Sequence, residues 1–142
     1  MIIPDVNLLV YAVNRDAPEH RRAKAWLEKA MSGTDTIGFS WNVLLAFLRL
    51  TTRAGLLRNP LAPEASLDLI QTWLEQPSAT VVSPGHSHLS ILRELISATG
   101  TAGNLTSDAH LAAIAIEHGA ELHSSDNDFG RFSRLNWRYP LA

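Results

Sequence analysis

The sequence predicts an α/β fold with three layers: a central parallel sheet of four to five short strands, with helices on both faces. Two observations predict it. Short apolar runs alternate with stretches of helical periodicity along the whole chain, the order that builds parallel sheets from crossover units. Right-handed crossovers then bring every strand's carboxyl end to one rim, and acids follow the first and the fourth of these runs. The 142 residues, 46% of them hydrophobic, are enough for a single domain, 1–142, whose core needs neither disulfide nor structural metal.

Taken in order, Ile2 and Ile3 form the first strand and run into Asp5. Asn7 to Val13 reads as a short helix. Pro18 opens the second helix, where a missing N–H costs nothing, with Ala23, Trp26, Leu27 and Ala30 on one face and Gly33 near its end. Thr36 to Phe39 is the second strand. Ser40 is placed to cap the next helix, whose apolar face includes Val43, Leu44, Phe47 and Leu48. Leu57 to Pro63 is a loop with two prolines. A helix with Ile70 and Trp73 inward follows and closes at Pro77. Thr80 to Val82 is the third strand, broken by Pro84 and Gly85. Leu89 to Ile96 has helical spacing, and Gly100 to Gly103 is a turn. Asp108 to His118 is an alanine-rich helix stopped by Gly119. Glu121 to His123 is the fourth strand, and Leu135 to Tyr139 adds an edge strand before Pro140.

Composition narrows the chemistry. The absence of cysteine excludes a thiol nucleophile, an iron–sulfur cluster and a Cys-based zinc site, and suits the cytoplasm. The first residues lack a basic n-region and a long apolar h-region, so no signal peptide is expected. No apolar run approaches the ~18 residues of a membrane helix. A net charge of −2 argues against holding nucleic acid by bulk electrostatics, so any such contact needs a local basic face.

Four acids carry the chemistry. Asp5 and Asp126 follow strands, Asp108 opens the helix before the fourth strand, and Asp128 shares the loop of Asp126. Each alone has a plainer role. Asp5 is what a helix N-cap requires, worth roughly 1 kcal/mol. Asp108 suits a helix dipole, and Asp126 and Asp128 suit a turn. Together, three separate segments bring them to one crevice. Clustered carboxylates are costly to bury unpaired, and a hard divalent cation such as Mg2+ or Mn2+ is the usual compensation.

The pieces DVNLLVYA, SWNVLLAFLRLTTR, LTSDAHLAAIAIEHGA, SSDNDFGRF and LNWRYPLA span almost the whole chain. Their order (D-x-N, then D-A-x-L-A-A, then S-x-D-x-D-F) resembles the PIN domain, and within it the VapC-type ribonuclease toxins of bacterial toxin–antitoxin pairs. The resemblance implies a metal-dependent endoribonuclease. Asp5, Asp108, Asp126 and Asp128 would hold Mg2+ or Mn2+ for phosphodiester hydrolysis, with Asn7 and Ser124 in supporting positions. It also implies a homodimer and a VapB-type antitoxin as partner. PIN domains usually carry a glutamate on the helix after the second strand; Ala46 stands at that place, and no carboxylate occurs between Asp35 and Glu64. A site of this kind favours one tightly held ion. The alternative it opens is a PIN-fold module that binds RNA or protein with weak catalysis or none.

Arg49 and Arg53, four apart, and Arg131 beyond Asp128 are the candidate RNA contacts, with Arg58 and Arg134 nearby in sequence. Trp41 is a candidate for base stacking, whereas Trp26 and Trp73 are expected in the core. His86 and His88 are expected in a solvated loop, His110 on a helix surface, and His20 has no assigned chemistry. A phosphatase of the haloacid dehalogenase type also begins with a strand ending in Asp. It wants a second Asp two residues on and a late lysine; the sequence has Asn7, and its last lysine is Lys29.

Overall fold

The computed structural model describes residues 1–142. Five strands form one sheet: β1 (Ile2–Pro4), β2 (Ile37–Ser40), β3 (Ala79–Val82), β4 (Glu121–His123) and β5 (Trp137–Arg138). Their order is β3-β2-β1-β4-β5, and every pair is parallel. Helices α1 (Val6–Val13) and α2 (His20–Ser32) link β1 to β2, and α3 (Trp41–Thr52) and α4 (Pro63–Leu74) link β2 to β3. Helices α5 (His88–Thr99) and α6 (Thr106–Glu117) carry the chain back to β4. Right-handed crossovers put α1 to α4 on one face and α5 and α6 on the other. The packing agrees: α1 lies on α2 and α3, α3 on α4, and α5 on α6.

The core fills both sides of the sheet. Ile3, Phe39 and Leu122 of the strands are fully buried with Leu8, Leu9, Leu44, Phe47, Leu111 and Ile114 of the helices. Trp73 stacks on Phe39 at 6.2 Å and meets Phe47 edge-on at 4.8 Å, a pairing that aromatic quadrupoles favour. Thr51 and Ser66, both buried, share a hydrogen bond of 2.8 Å that ties α3 to α4. No helix is long and apolar enough to cross a membrane.

Several boundaries move from the sequence reading. Helix α2 begins at His20, two residues beyond Pro18, and α6 begins at Thr106, so Asp108 lies inside its first turn. Ser40 holds the cap position of α3, but its hydroxyl donates to Asn42 Oδ1 instead of receiving a backbone N–H. His88 is not in a solvated loop. It opens α5, because Glu117 of α6 accepts the N–H groups of Gly85 (2.7 Å) and Ser87 (3.0 Å) and anchors the turn before it. Trp26 is only partly buried, and its indole N–H donates to His123 Nδ1 at 3.0 Å.

The chain leaves β1 toward β2 on one side and reaches β4 on the other. The order of connection therefore reverses between the parallel strands β1 and β4, the place where open α/β sheets form a ligand crevice.

Candidate active site

Asp5 and Ser124 stand at the carboxyl ends of the two central strands. Pro4 closes β1 without an N–H of its own, and the next donor, Asp5 N–H, reaches the His123 carbonyl at 2.8 Å. That bond fixes Asp5 beside Ser124. The Asp5 carboxylate accepts Val6 N–H at 2.8 Å and the Ser124 hydroxyl at 2.7 Å. Ser124 is fully buried. Its hydroxyl oxygen also accepts Asn7 Nδ2 at 3.2 Å and Asp126 N–H at 3.0 Å. One donor and two acceptor sites are all a hydroxyl has, and this one uses all three. Asn7 Oδ1 receives Ser125 N–H at 3.4 Å, so Asn7 clamps the loop from both ends of its amide.

The loop beyond is a short 3-10 turn, Asn127–Arg131, capped by Asp126, whose Oδ1 accepts Asp128 N–H at 2.9 Å. Capping explains Asp5 and Asp126 locally, and the same bonds aim their free lone pairs at the crevice. Asp108 arrives from the first turn of α6. Carboxylate oxygens of Asp108, Asp126 and Asp128 lie within 4.8 Å of one another, all partly exposed. Asp5 is set deeper. Burial raises its pKa above the ordinary carboxylate value, against the hydrogen bonds from Ser124 and Val6, and Asp126 raises it further. Burial likewise pushes Asp108 up to about 6, helped by the charges of Asp126, Asp5 and Asp128. Asp108 therefore feels the charge of all three other acids, and Asp5 that of Asp126. The donors are hard oxygens from separate segments, and their mutual repulsion is what a divalent cation relieves, so this set fits Mg2+ or Mn2+.

The structure sorts the basic candidates. Arg131 lies 3.7 Å from Asp128, both side chains about half exposed. Arg49 and Arg53 do not reach the acids in this way. Helix α3 leaves the rim at Trp41, so Arg49 sits ~12 Å further along its axis and Arg53 beyond that. Arg134 pairs with Glu94 at 2.5 Å. Trp41 is 50% exposed at the rim end of α3. Ala46 is partly buried one turn past Asn42, with which it shares a helix face.

Sequence reasoning missed the network behind β4. His123 is buried and takes the Trp26 N–H on Nδ1, which leaves its proton on Nε2 to donate to Glu121 at 2.6 Å. Burial, opposed by Glu121, lowers its pKa and keeps it neutral. No local signal joins residues 26 and 123.

Fold and site together define a small α/β domain with a carboxylate cluster at the switch point of its sheet, and the chain belongs to the PIN-domain family, whose profile matches residues 2–135. Within that family it is similar to VapC ribonucleases along its full length. It is 46% identical to ribonuclease VapC37 of Mycobacterium tuberculosis over 142 residues, covering 100% of this chain and 99% of that one. Ribonuclease VapC33 of the same species is 45% identical over 141 residues, 99% of each chain. Two solved structures share the fold. One is VapBC-1 from nontypeable Haemophilus influenzae, with a TM-score of 0.72 at 18% identity and complete coverage of both chains. The other is VapBC2 from Rickettsia felis, solved with a promoter DNA fragment, at 0.69 and 20% identity over 97% of this chain and 98% of that one.

Proposed function

We propose that this chain is a metal-dependent endoribonuclease, the toxin of a VapBC-type pair, acting on RNA in the cytoplasm. The observation that carries the reading is the convergence of Asp108, Asp126 and Asp128 within 4.8 Å beside Asp5, in a chain 46% identical to a named ribonuclease. Asp108, Asp126 and Asp128 present the oxygens for Mg2+ or Mn2+. Asp5 completes the negative charge and is locked by Ser124, which Asn7 holds in turn. A cation held there would supply charge neutralisation at the scissile phosphate and a lowered pKa for a bound water. Arg131 contributes a guanidinium at the rim, where a phosphate oxygen can replace Asp128 as its partner. Trp41 offers an exposed ring for an RNA base. A VapB-type antitoxin is the protein partner. Leu45, exposed on α3, supplies apolar surface for a homodimer.

A second reading follows from Ala46: a binding module that holds RNA or protein without turnover. Cleavage of a panel of structured RNAs with Mg2+, Mn2+ or EDTA separates the two. Metal-dependent cutting by the wild type, lowered at least ~100-fold in Asp126→Asn and in Asp5→Asn, is the expected outcome. Intact RNA after incubation of folded, antitoxin-free protein with either metal overturns the nuclease reading in favour of the module.

A further inference from the structure

Two histidines outside the carboxylate crevice meet across the helix pair that covers the second face of the sheet. His88, the first residue of α5, and His110, in the second turn of α6, bring Nε2 and Nδ1 to 3.0 Å. Their rings are 4.8 Å apart and steeply tilted, at 78°. His110 follows Asp108 by two residues, roughly 200° around the helix, so it leaves α6 on the side away from the acids. The turn before His88 is pinned by Glu117, which accepts the Gly85 and Ser87 N–H groups. Both imidazoles are thus held by packed elements.

The pair is incomplete as a hydrogen-bonded unit. If His88 donates from Nε2, its Nδ1 is an acceptor; if His110 donates, His88 keeps its proton on Nδ1. In either tautomer His88 Nδ1 is buried and has no partner. An ion between the rings leaves His88 Nδ1 protonated, so the ligating pair is the two facing nitrogens, His88 Nε2 and His110 Nδ1. Two imidazole nitrogens bound to one ion at ~2.0–2.1 Å and 3.0 Å apart subtend an angle of about 91–97°. That is the angle between neighbouring positions of a square-planar or octahedral ion. A tetrahedral ion needs a separation of about 3.4 Å, within reach of a small ring rotation.

We infer that His88 and His110 form a second metal site, selective for nitrogen-preferring divalent transition ions such as Ni2+, Cu2+ or Zn2+ over Mg2+. The ion clips the first turn of α5 to α6, with water completing its coordination. It takes the place of the proton shared between the rings, and each imidazole keeps one N–H, so no net proton is released. Because α6 presents Asp108 from its preceding turn, an ion at the clip also stiffens the helix that carries a crevice acid. The inference stands independently of the nuclease reading.

Titration of Ni2+ into tag-free, full-length protein in excess Mg2+ tests it, by calorimetry and by the shift in Tm. The expected result is one Ni2+ per chain with a higher Tm. Affinity falls at least ~10-fold in His88→Gln and in His110→Gln and is unchanged in Asp126→Asn. Absence of Ni2+ binding, wild-type affinity in either histidine variant, or loss in Asp126→Asn overturns the proposal. Electron paramagnetic resonance of one equivalent of Cu2+ on the wild type covers the case in which a variant fails to fold. Nitrogen superhyperfine splitting supports the site, and an all-oxygen signal overturns it.

Discussion

At the scale of single residues, the crevice depends on a hydroxyl with no spare bonding capacity. Ser124 Oγ serves Asp5, Asn7 and the backbone of Asp126 at 2.7, 3.2 and 3.0 Å. Ser124→Ala strips three partners at once while removing one atom. Partners that orient metal ligands typically matter by 10–100-fold, so RNA cleavage should drop by about that factor. Stability should fall by about 1–3 kcal/mol, because buried polar groups lose their bonds. Denaturant unfolding and cleavage rates on the same preparation check both. Asp108 sets the pH response. Its pKa is raised from 3.8 to about 6, so the folded chain holds this proton more tightly than the unfolded one. Protonated Asp108 therefore favours the fold at low pH, and that contribution is lost as pH rises through about 6. Metal binding needs the ionised form and runs the other way. Mn2+ affinity measured by calorimetry should be about tenfold weaker at pH 5.0 than at pH 7.5. Equal affinity at the two values would place Asp108 outside the metal site.

Among the elements, α6 shows how a local rule holds a functional residue in register. The helix ends at Gly119, which adopts φ 61°. Its N–H reaches the Ile116 carbonyl at 3.1 Å, and Ala120 N–H reaches Ala115 at 2.9 Å, the paired bonds of a Schellman stop. The chain then enters β4 at once. Gly119→Ala should cost about 1 kcal/mol, read as a lower urea midpoint at unchanged m-value, because a Cβ disfavours positive φ. This stop and the strand–helix alternation were legible in the sequence, since each rests on neighbours within a few positions, whereas Pro63, read as the end of a loop, is the first residue of α4. The four motif acids were legible for the same reason: Asp5 and Asp126 cap an element, and Asp108 and Asp128 lie in a first turn. Other features were not. The start of α5 is set by Glu117, some 30 residues away, and the His88–His110 contact spans 22 positions. Arg49 and Arg53 share a helix face in the sequence, but spacing alone does not say that α3 carries them away from the rim. The edge strand read at Leu135 to Tyr139 is present as β5, and its bounds, Trp137–Arg138, are set by pairing with β4.

For the whole molecule, the strand order decides which charges can share an ion. The order of connection reverses between β1 and β4, and the acids come from the elements around that seam: β1, α6 and the loop after β4. The opposite bank is β2 and α3, and it is neutral. Ser40 is buried with its hydroxyl turned onto Asn42, Ala46 follows on the same helix face, and no carboxylate occurs from residue 36 to residue 63. A second divalent ion close to the first adds strong cation–cation repulsion, which only further anionic ligands offset. With every carboxylate on one bank, this chain should bind a single Mn2+ in its crevice. Titration followed by electron paramagnetic resonance should give one Mn2+ per chain, abolished by Asp126→Asn. Ala46→Glu supplies the missing carboxylate on the α3 bank. That variant should bind a second Mn2+ or hold the first at least ~10-fold more tightly, since an added carboxylate ligand raises affinity for hard cations. Two ions in the wild type would show that the neutral bank takes part in coordination through Asn42 or backbone carbonyls. An unchanged stoichiometry and affinity in Ala46→Glu would show that α3 does not face the ion at all.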